Sequence, residues 1–203
     1  MQSNMPNILL KLIAFFALLM LSPIIIISMF CIYIEDGRPV IFSQKRIGIG
    51  LKDFTIYKIR TMKKDTPNKG THEVSSKDFL LMGKFLRKTK IDVLPQVFNY
   101  IRGDINLVGP RPGLVSQVEL KNERSKCNIY KIKPGITGLA QILGYDMSNP
   151  KKLAEIDMIY IKKRNISIDF YILLATIVKP LRKKVLKIYN KELKQDNSGV
   201  KNV

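Results

Sequence analysis

The sequence predicts an α+β, mainly helical protein: an N-terminal membrane helix, a short β-hairpin, and several amphipathic interfacial helices around one small cytoplasmic domain. Three observations predict it. Residues 12–34 run 23 positions without an ionisable carboxylate or amine, two stretches rich in β-branched and aromatic residues flank a glycine turn, and from Ser76 onward apolar residues recur at helical spacing. A chain of 203 residues suits one such domain with an appended apolar segment. The expected division is residues 1–36 in the membrane, 37–180 as the domain, and 181–203 as a basic amphipathic helix with a disordered tail.

As a helix the apolar run covers about 34 Å, enough for a bilayer core. Fourteen of its positions are Leu, Ile or Phe. At roughly −0.5 kcal/mol each they favour insertion by about 7 kcal/mol, more than the ~3 kcal/mol charged to an interior proline. A cleaved signal peptide would have a shorter apolar core and a small-residue cleavage site. Ser22-Pro23 at the midpoint predicts a sharp bend, because proline removes one backbone donor while the serine hydroxyl can cover the freed carbonyl. A kinked span and a helix that dips in and returns both satisfy this pattern. Lys11 is the only charged residue in 1–34, so all but one unit of the net +19 belongs to the remainder. That asymmetry places the basic body on the cytoplasmic side.

Such an excess implies an anionic partner: nucleic acid, an anionic lipid surface, or a phosphate-rich small substrate. Cys31 and Cys127 have no spacing suited to a metal site or disulfide framework, which fits a reducing setting. No Walker-type loop, dinucleotide fingerprint or zinc pattern occurs.

"RPVIFSQKRIG" and "DFTIYKIRTM", separated by "IGLK", read as the hairpin, with Gly48 and Gly50 giving turn freedom. A helix is expected from Ser76, carrying Phe79, Leu80, Met82, Phe85 and Leu86 on one side. Another is expected over Val93–Arg102, with Asp92 as its N-cap and Gly103 as its stop. "LVGPRPG" and "KPGITGLAQ" read as loops. A helix from Asn149-Pro150 to about Arg164 and an apolar helix near Asp169–Val178 follow. In "KPLRKKVLKIYNKELK" the stripe Leu181, Val185, Ile188 and Tyr189 suits either a membrane surface or packing on the domain.

Asp92 is the candidate for chemistry. An ionised carboxylate beside bound phosphate can act as a nucleophile and form an acyl-phosphate if cations quench the repulsion between anions. Most N-cap aspartates only cap helices, but Lys58 and Arg60 on one face of the second strand, and Arg87 five residues upstream, are candidate phosphate-binding cations. In "GPRPG", Pro110 and Pro112 fix the backbone around Arg111, holding out its planar fork to grip a phosphate. Asp104, Asp157 and Asp169 are candidate magnesium ligands by residue type alone. His72, the single histidine, reads as a surface residue without a role.

Lys11, Ser22-Pro23, "FSQKRIG", "YKIRTM", "FLRKTKIDVLPQVFNYIRGDINLVGPRP", "KPGITGLAQ", Asp157 and Asp169 together resemble the bacterial sugar transferase family, small monotopic polyprenol-phosphate phosphoglycosyl transferases. The similarity spans residue 8 to about 178. It implies a re-entrant helix broken at Ser22-Pro23, attachment to the cytoplasmic face of the bacterial inner membrane, and transfer of a sugar phosphate from a UDP-sugar to undecaprenyl phosphate with release of UMP. It implies Asp92 as nucleophile, Mg2+ as cofactor and Arg111 as a phosphate ligand. Three places depart from the family pattern: Val93 stands where a glutamate is usual, Tyr145 where an arginine is usual, and Leu12 and Ala14 where charged residues are usual. A catalytically impaired member acting as a UDP-sugar-binding or scaffolding membrane protein is the alternative. A nucleic-acid binder has only the charge in its favour, without a stacking face or recognition helix.

Overall fold

The structure, a computed structural model, describes residues 6–64, 66, 75–178, 180–183, 185 and 189. His72, Ile188 and the tail beyond residue 189 lie outside them. The chain divides into two compact units, residues 1–106 with 114–116, and residues 107–113 with 117–203. The C-terminal half of the apolar helix packs within the first unit.

In that unit α1 (Pro6–Asp36) is a 31-residue helix that runs unbroken through Pro23. The helical pattern continues across Ser22-Pro23 with a local contact supporting it. Pro23 leaves the Leu19 carbonyl without its amide donor, and the Ser22 hydroxyl donates to that carbonyl at 2.7 Å. Its segment from Ile8 to Asp36 is long and apolar enough to cross a membrane, and most of it is exposed. Near its C-terminal end Ile32 is fully buried, in a cluster with Ile59, Leu80 and Leu86 that Ile25 and Met29 also join.

β1 (Ile41–Ile47) and β2 (Asp53–Ile59) form the expected antiparallel hairpin, with Phe42 opposite Lys58 and Gln44 opposite Ile56. Because side chains alternate, Phe42, Gln44, Arg46 and Lys58 share one face while Ile41 and Tyr57 share the other. The helix expected from Ser76 starts later. Residues Ser76–Asp78 form a 3-10 turn capped by Ser75, Phe79 bridges to Met62, and α2 spans Leu81–Thr89. Gly83 lets α2 approach the hairpin, since a Cβ there would lie 2.2 Å from the Thr61 carbonyl oxygen.

The next helix also starts later than expected, with α3 spanning Gln96–Arg102. Asn99 fixes it to the hairpin edge. Its fully buried amide accepts from the Tyr57 N–H at 3.2 Å and donates to the Thr55 carbonyl at 2.7 Å and to Asp104 at 3.0 Å. Truncation would remove the partner of two partly buried backbone groups, so Asn99→Ala is expected to cost about 1–3 kcal/mol in denaturant unfolding. A loss under about 0.5 kcal/mol, the size of an ordinary surface substitution, would contradict this docking role.

In the second unit β3 (Asn106–Val108) pairs with β4 (Gly135–Thr137), a pairing not legible in their Gly-Pro context. The helices are α4 (Val118–Lys126), α5 (Leu139–Leu143), α6 (Pro150–Lys163) and α7 (Ile166–Ile177). Asn149 caps α6 as expected, whereas α7 begins earlier than expected because Asn165 accepts from the Ile168 amide. Their core holds Leu120, Leu139, Leu153, Ile156, Tyr160 and Ile172. Val185 and Tyr189 are buried in it and Leu181 packs against it, so these three residues of the C-terminal stripe are covered by protein.

Candidate active site

Lys90 closes α2 in the left-handed region at φ 64°, and its amide donates to the Leu86 and Arg87 carbonyls. This reverses the chain and starts a separate 3-10 turn, Ile91–Val93. Asp92 therefore sits inside that turn, not at the N-cap of α3, whose preceding residue is Pro95. Its side chain is buried at 6% exposure, and Oδ1 has no hydrogen-bond partner among the described residues. Burial is the largest influence on the carboxyl and pushes its pKa above the ordinary aspartate value. The charges of Lys58, Arg87 and Lys90 pull the other way without cancelling it.

Asp92 lines a pocket of about 260 Å³ with one face of the hairpin and the end of α2. The lining carries six cations, Arg46, Lys58, Arg60, Lys63, Lys64 and Arg87, and Asp92 is the one carboxylate among them. Low-dielectric walls focus that positive field onto any anion entering. Arg87 is half-buried and its pKa is lowered by burial, partly offset by Asp92; a guanidinium so perturbed stays protonated at neutral pH. Its charge lies 4.8 Å from the centre of the Phe79 ring, which steadies the side chain.

The end of α1 braces this pocket. The Glu35 carboxylate accepts from the amides of Leu81 at 2.6 Å and Met82 at 3.0 Å, filling the open N-terminus of α2. Arg60 pairs with Asp36 and also donates to the Asp36 and Gly37 carbonyls at 3.1 and 2.8 Å. Lys58, Arg87 and Arg60 thus surround the pocket as the sequence suggests, but Arg60 spends its guanidinium on the C-terminus of α1. Arg60 therefore also braces the C-terminus of α1.

Gln44, Arg46, Lys63 and Lys64 were missed as lining residues. Arg46 is 8% exposed and donates from Nη2 to Gln44. Strand alternation with Lys58 was the available signal for Gln44 and Arg46; nothing in the sequence marked the two lysines.

Pro110, Arg111 and Pro112 lie in the second unit. Both prolines are buried, and Arg111 is partly buried. Their loop is fastened by the Gly109 N–H to the Thr137 carbonyl and the Gly135 N–H to the Pro110 carbonyl, each at 2.9 Å. A Cβ at Gly135 would stand 2.1 Å from the Gly109 nitrogen, so only glycine permits this approach. Arg124, 2% exposed, donates to the Arg111 carbonyl at 2.7 Å and holds Asp157 through two bonds of 3.0 and 2.6 Å.

The three aspartates suggested as magnesium ligands are engaged elsewhere. Asp157 pairs with Arg124, Asp169 accepts from Tyr160 at 2.6 Å and Arg164 at 3.3 Å, and Asp104 is held by Asn99. Among the described residues no group of three His, Cys, Asp or Glu could hold a metal ion.

A membrane-capable helix bracing a cation-lined pocket around a buried aspartate is an arrangement for anionic substrates at a lipid surface. The family model for bacterial sugar transferases matches residues 2–183, and the chain belongs to that family. It is 38% identical to the uncharacterized sugar transferase EpsL of Bacillus subtilis (strain 168), over 83% of this chain and 83% of the relative. It is 35% identical to the UDP-N-acetylgalactosamine-undecaprenyl-phosphate N-acetylgalactosaminephosphotransferase of Aeromonas hydrophila, over 81% of this chain and 40% of that protein. It is also 35% identical to the UDP-glucose:undecaprenyl-phosphate glucose-1-phosphate transferase of Klebsiella pneumoniae, over 80% of this chain and 37% of that protein. The chain thus spans most of the first relative and about two fifths of the other two.

Proposed function

We propose that this chain is a phosphoglycosyl transferase that moves a sugar phosphate from a UDP-sugar to undecaprenyl phosphate, releasing UMP, as the first membrane step in building a surface glycan. The observation that carries the proposal is the single buried carboxylate facing six cations, joined to the reactions in the names of the Aeromonas and Klebsiella relatives. Asp92 Oδ1 attacks the sugar-bearing phosphorus, the P–O bond to UMP breaks, and UMP leaves as a phosphate monoester. An oxygen of the lipid phosphate then attacks the same phosphorus, expelling the Asp92 carboxylate and giving the lipid diphosphosugar. Lys58 and Arg87, with Arg46 beside them, offset the negative charge that would otherwise repel an attacking carboxylate. At about 260 Å³ the pocket suits the diphosphate portion and leaves the remainder of the nucleotide-sugar outside.

With Asp92 the one carboxylate of this lining and its Oδ1 the attacking atom, magnesium would be held chiefly by substrate phosphate and water. When bound, it would neutralise part of the diphosphate charge. For Arg111 the phosphate role rests on the Pro-Arg-Pro motif. We further propose that α1 holds the protein on the cytoplasmic leaflet of the inner membrane, the basic body facing anionic headgroups.

The test is UMP release by the purified, detergent-solubilised chain from a panel of UDP-sugars with magnesium and undecaprenyl phosphate. Release that requires both substrates is the expected result. Retained UDP-sugar affinity without release from any of them would instead favour the binding or scaffolding role, which the absence of a second carboxylate at Val93 motivates.

A further inference from the structure

We propose that Glu35 and Asp36, the last two residues of α1, are positioning residues for the phosphoryl transfer at Asp92; this rests on the transferase reading above. They are the only acidic residues among positions 1–52 of a chain with net charge +19. Both sit in the last turn of a helix that has no basic residue there, so its own dipole disfavours them. Basic residues are also the ordinary cytoplasmic flank of a membrane helix. Two carboxylates set against both rules have their compensation in contacts outside their own helix.

Glu35 reaches the first turn of α2. Nine residues make a short helix that depends on partners at its ends, and its N-cap, Leu80, supplies no side-chain hydrogen bond. The Glu35 carboxylate stands in for the missing cap by taking the amides of Leu81 and Met82. The far end of the same helix carries Arg87, and the reversal at Lys90 that follows it delivers Asp92. The direction of α2 therefore decides where that cation and the attacking carboxylate stand. Asp36 holds a different part of the lining. Its carboxylate accepts from Arg60 and, at 3.3 Å, from the Lys64 amide, and Arg60 and Lys64 both line the pocket. Adjacent side chains at one helix end thus fasten two lining segments, residues 60–64 and 87–92, and α1 sets the spacing between them. Arg46 and Lys58 keep their places through strand pairing alone. Loss of either carboxylate misplaces the reacting groups while leaving these anion-binding cations where they are, and a misplacement of about 1 Å can cost about a hundredfold in rate.

The experiment follows UMP release from limiting radiolabelled UDP-sugar, with undecaprenyl phosphate and magnesium present and the enzyme in excess at rising concentration. It compares the full chain with Glu35→Ala, Asp36→Ala, Glu35→Gln and Asp36→Asn. At saturating enzyme the first-order constant does not depend on the fraction of chains that are folded, whereas the half-saturating concentration does. Each alanine variant is expected to lower the saturated constant by about tenfold to a hundredfold while the half-saturating concentration stays within about threefold. The amide variants keep an accepting oxygen and are expected to recover to within about fivefold of the unaltered chain. A merely structural role would leave the saturated constant unchanged and raise the half-saturating concentration, and that pattern in both alanine variants would overturn the proposal. Amide variants as slow as the alanine variants would overturn it too. Either outcome, with turnover by the unaltered chain intact, removes the positioning role alone, whereas no UMP release by the unaltered chain removes the transferase reading and the positioning role together.

Discussion

Replacing Asp92 with Asn is expected to reduce UMP release by at least about ten-thousand-fold while making the protein more stable. The rate falls because an amide cannot form the acyl-phosphate, and loss of a covalent nucleophile leaves only binding and charge stabilisation. Stability rises because burial penalises the ionised carboxyl more than Lys58, Arg87 and Lys90 favour it. The unfolded chain ionises freely near the ordinary aspartate pKa of about 3.9, whereas the folded chain resists until a higher pH. The folded state therefore loses stability as pH rises between the two values and does not recover it above them. Asp92→Asn removes that cost, so its gain is absent in acid below the unfolded value and full at neutral pH, where it would appear as a higher Tm. For the unaltered chain the same shift predicts that turnover declines on acidification at a higher pH than an unperturbed aspartate would give. A calorimetric series from acid to neutral pH, alongside the pH–rate profile, checks both signs. A variant equally active, or less stable at neutral pH, would contradict this reading of Asp92.

The second large effect belongs to Asp157. Replacing it with Ala is expected to cost about 3–5 kcal/mol, because Arg124, at 2% exposure, would keep a buried charge with no carboxylate beside it. Arg124 also holds the Arg111 carbonyl, so the Pro-Arg-Pro loop should loosen as the second unit weakens. Limited proteolysis should then cut within or near residues 109–113 at protease concentrations that spare the unaltered chain. The double change Arg124→Leu with Asp157→Leu separates structure from chemistry. It removes both charges and should recover most of the lost stability. If Asp157→Ala unfolded at the same denaturant concentration as the unaltered chain, the pair would not be the brace described here.

The parts legible in the sequence were those governed by local periodicity or by a dense motif. The hairpin followed from strand alternation around Gly48 and Gly50, and Asn149-Pro150 announced the start of α6 through a cap and a first-turn proline. The gathering of Lys58, Arg87 and Asp92 followed from motif content. Asp92 was misplaced by one element because nothing marks Lys90 as a left-handed residue, and that single conformation converts an expected N-cap into a separate turn. The bracing contact of Arg60 was not legible, because its partner, Asp36, is 24 positions away across the end of α1. The Arg124–Asp157 pair spans 33 positions and joins two helices that look like ordinary basic surface in the sequence. Long-range polar pairing leaves no periodic trace, so these side chains became readable only once the fold was in hand.

The most direct measurement is intact-protein mass spectrometry after incubation with a UDP-sugar in the absence of lipid acceptor, followed by peptide mapping. The predicted result is one sugar phosphate added per chain, carried on the peptide containing Asp92, formed with an equal amount of UMP and discharged when undecaprenyl phosphate is supplied. Full turnover without any such adduct, or an adduct mapping to another residue, would contradict it.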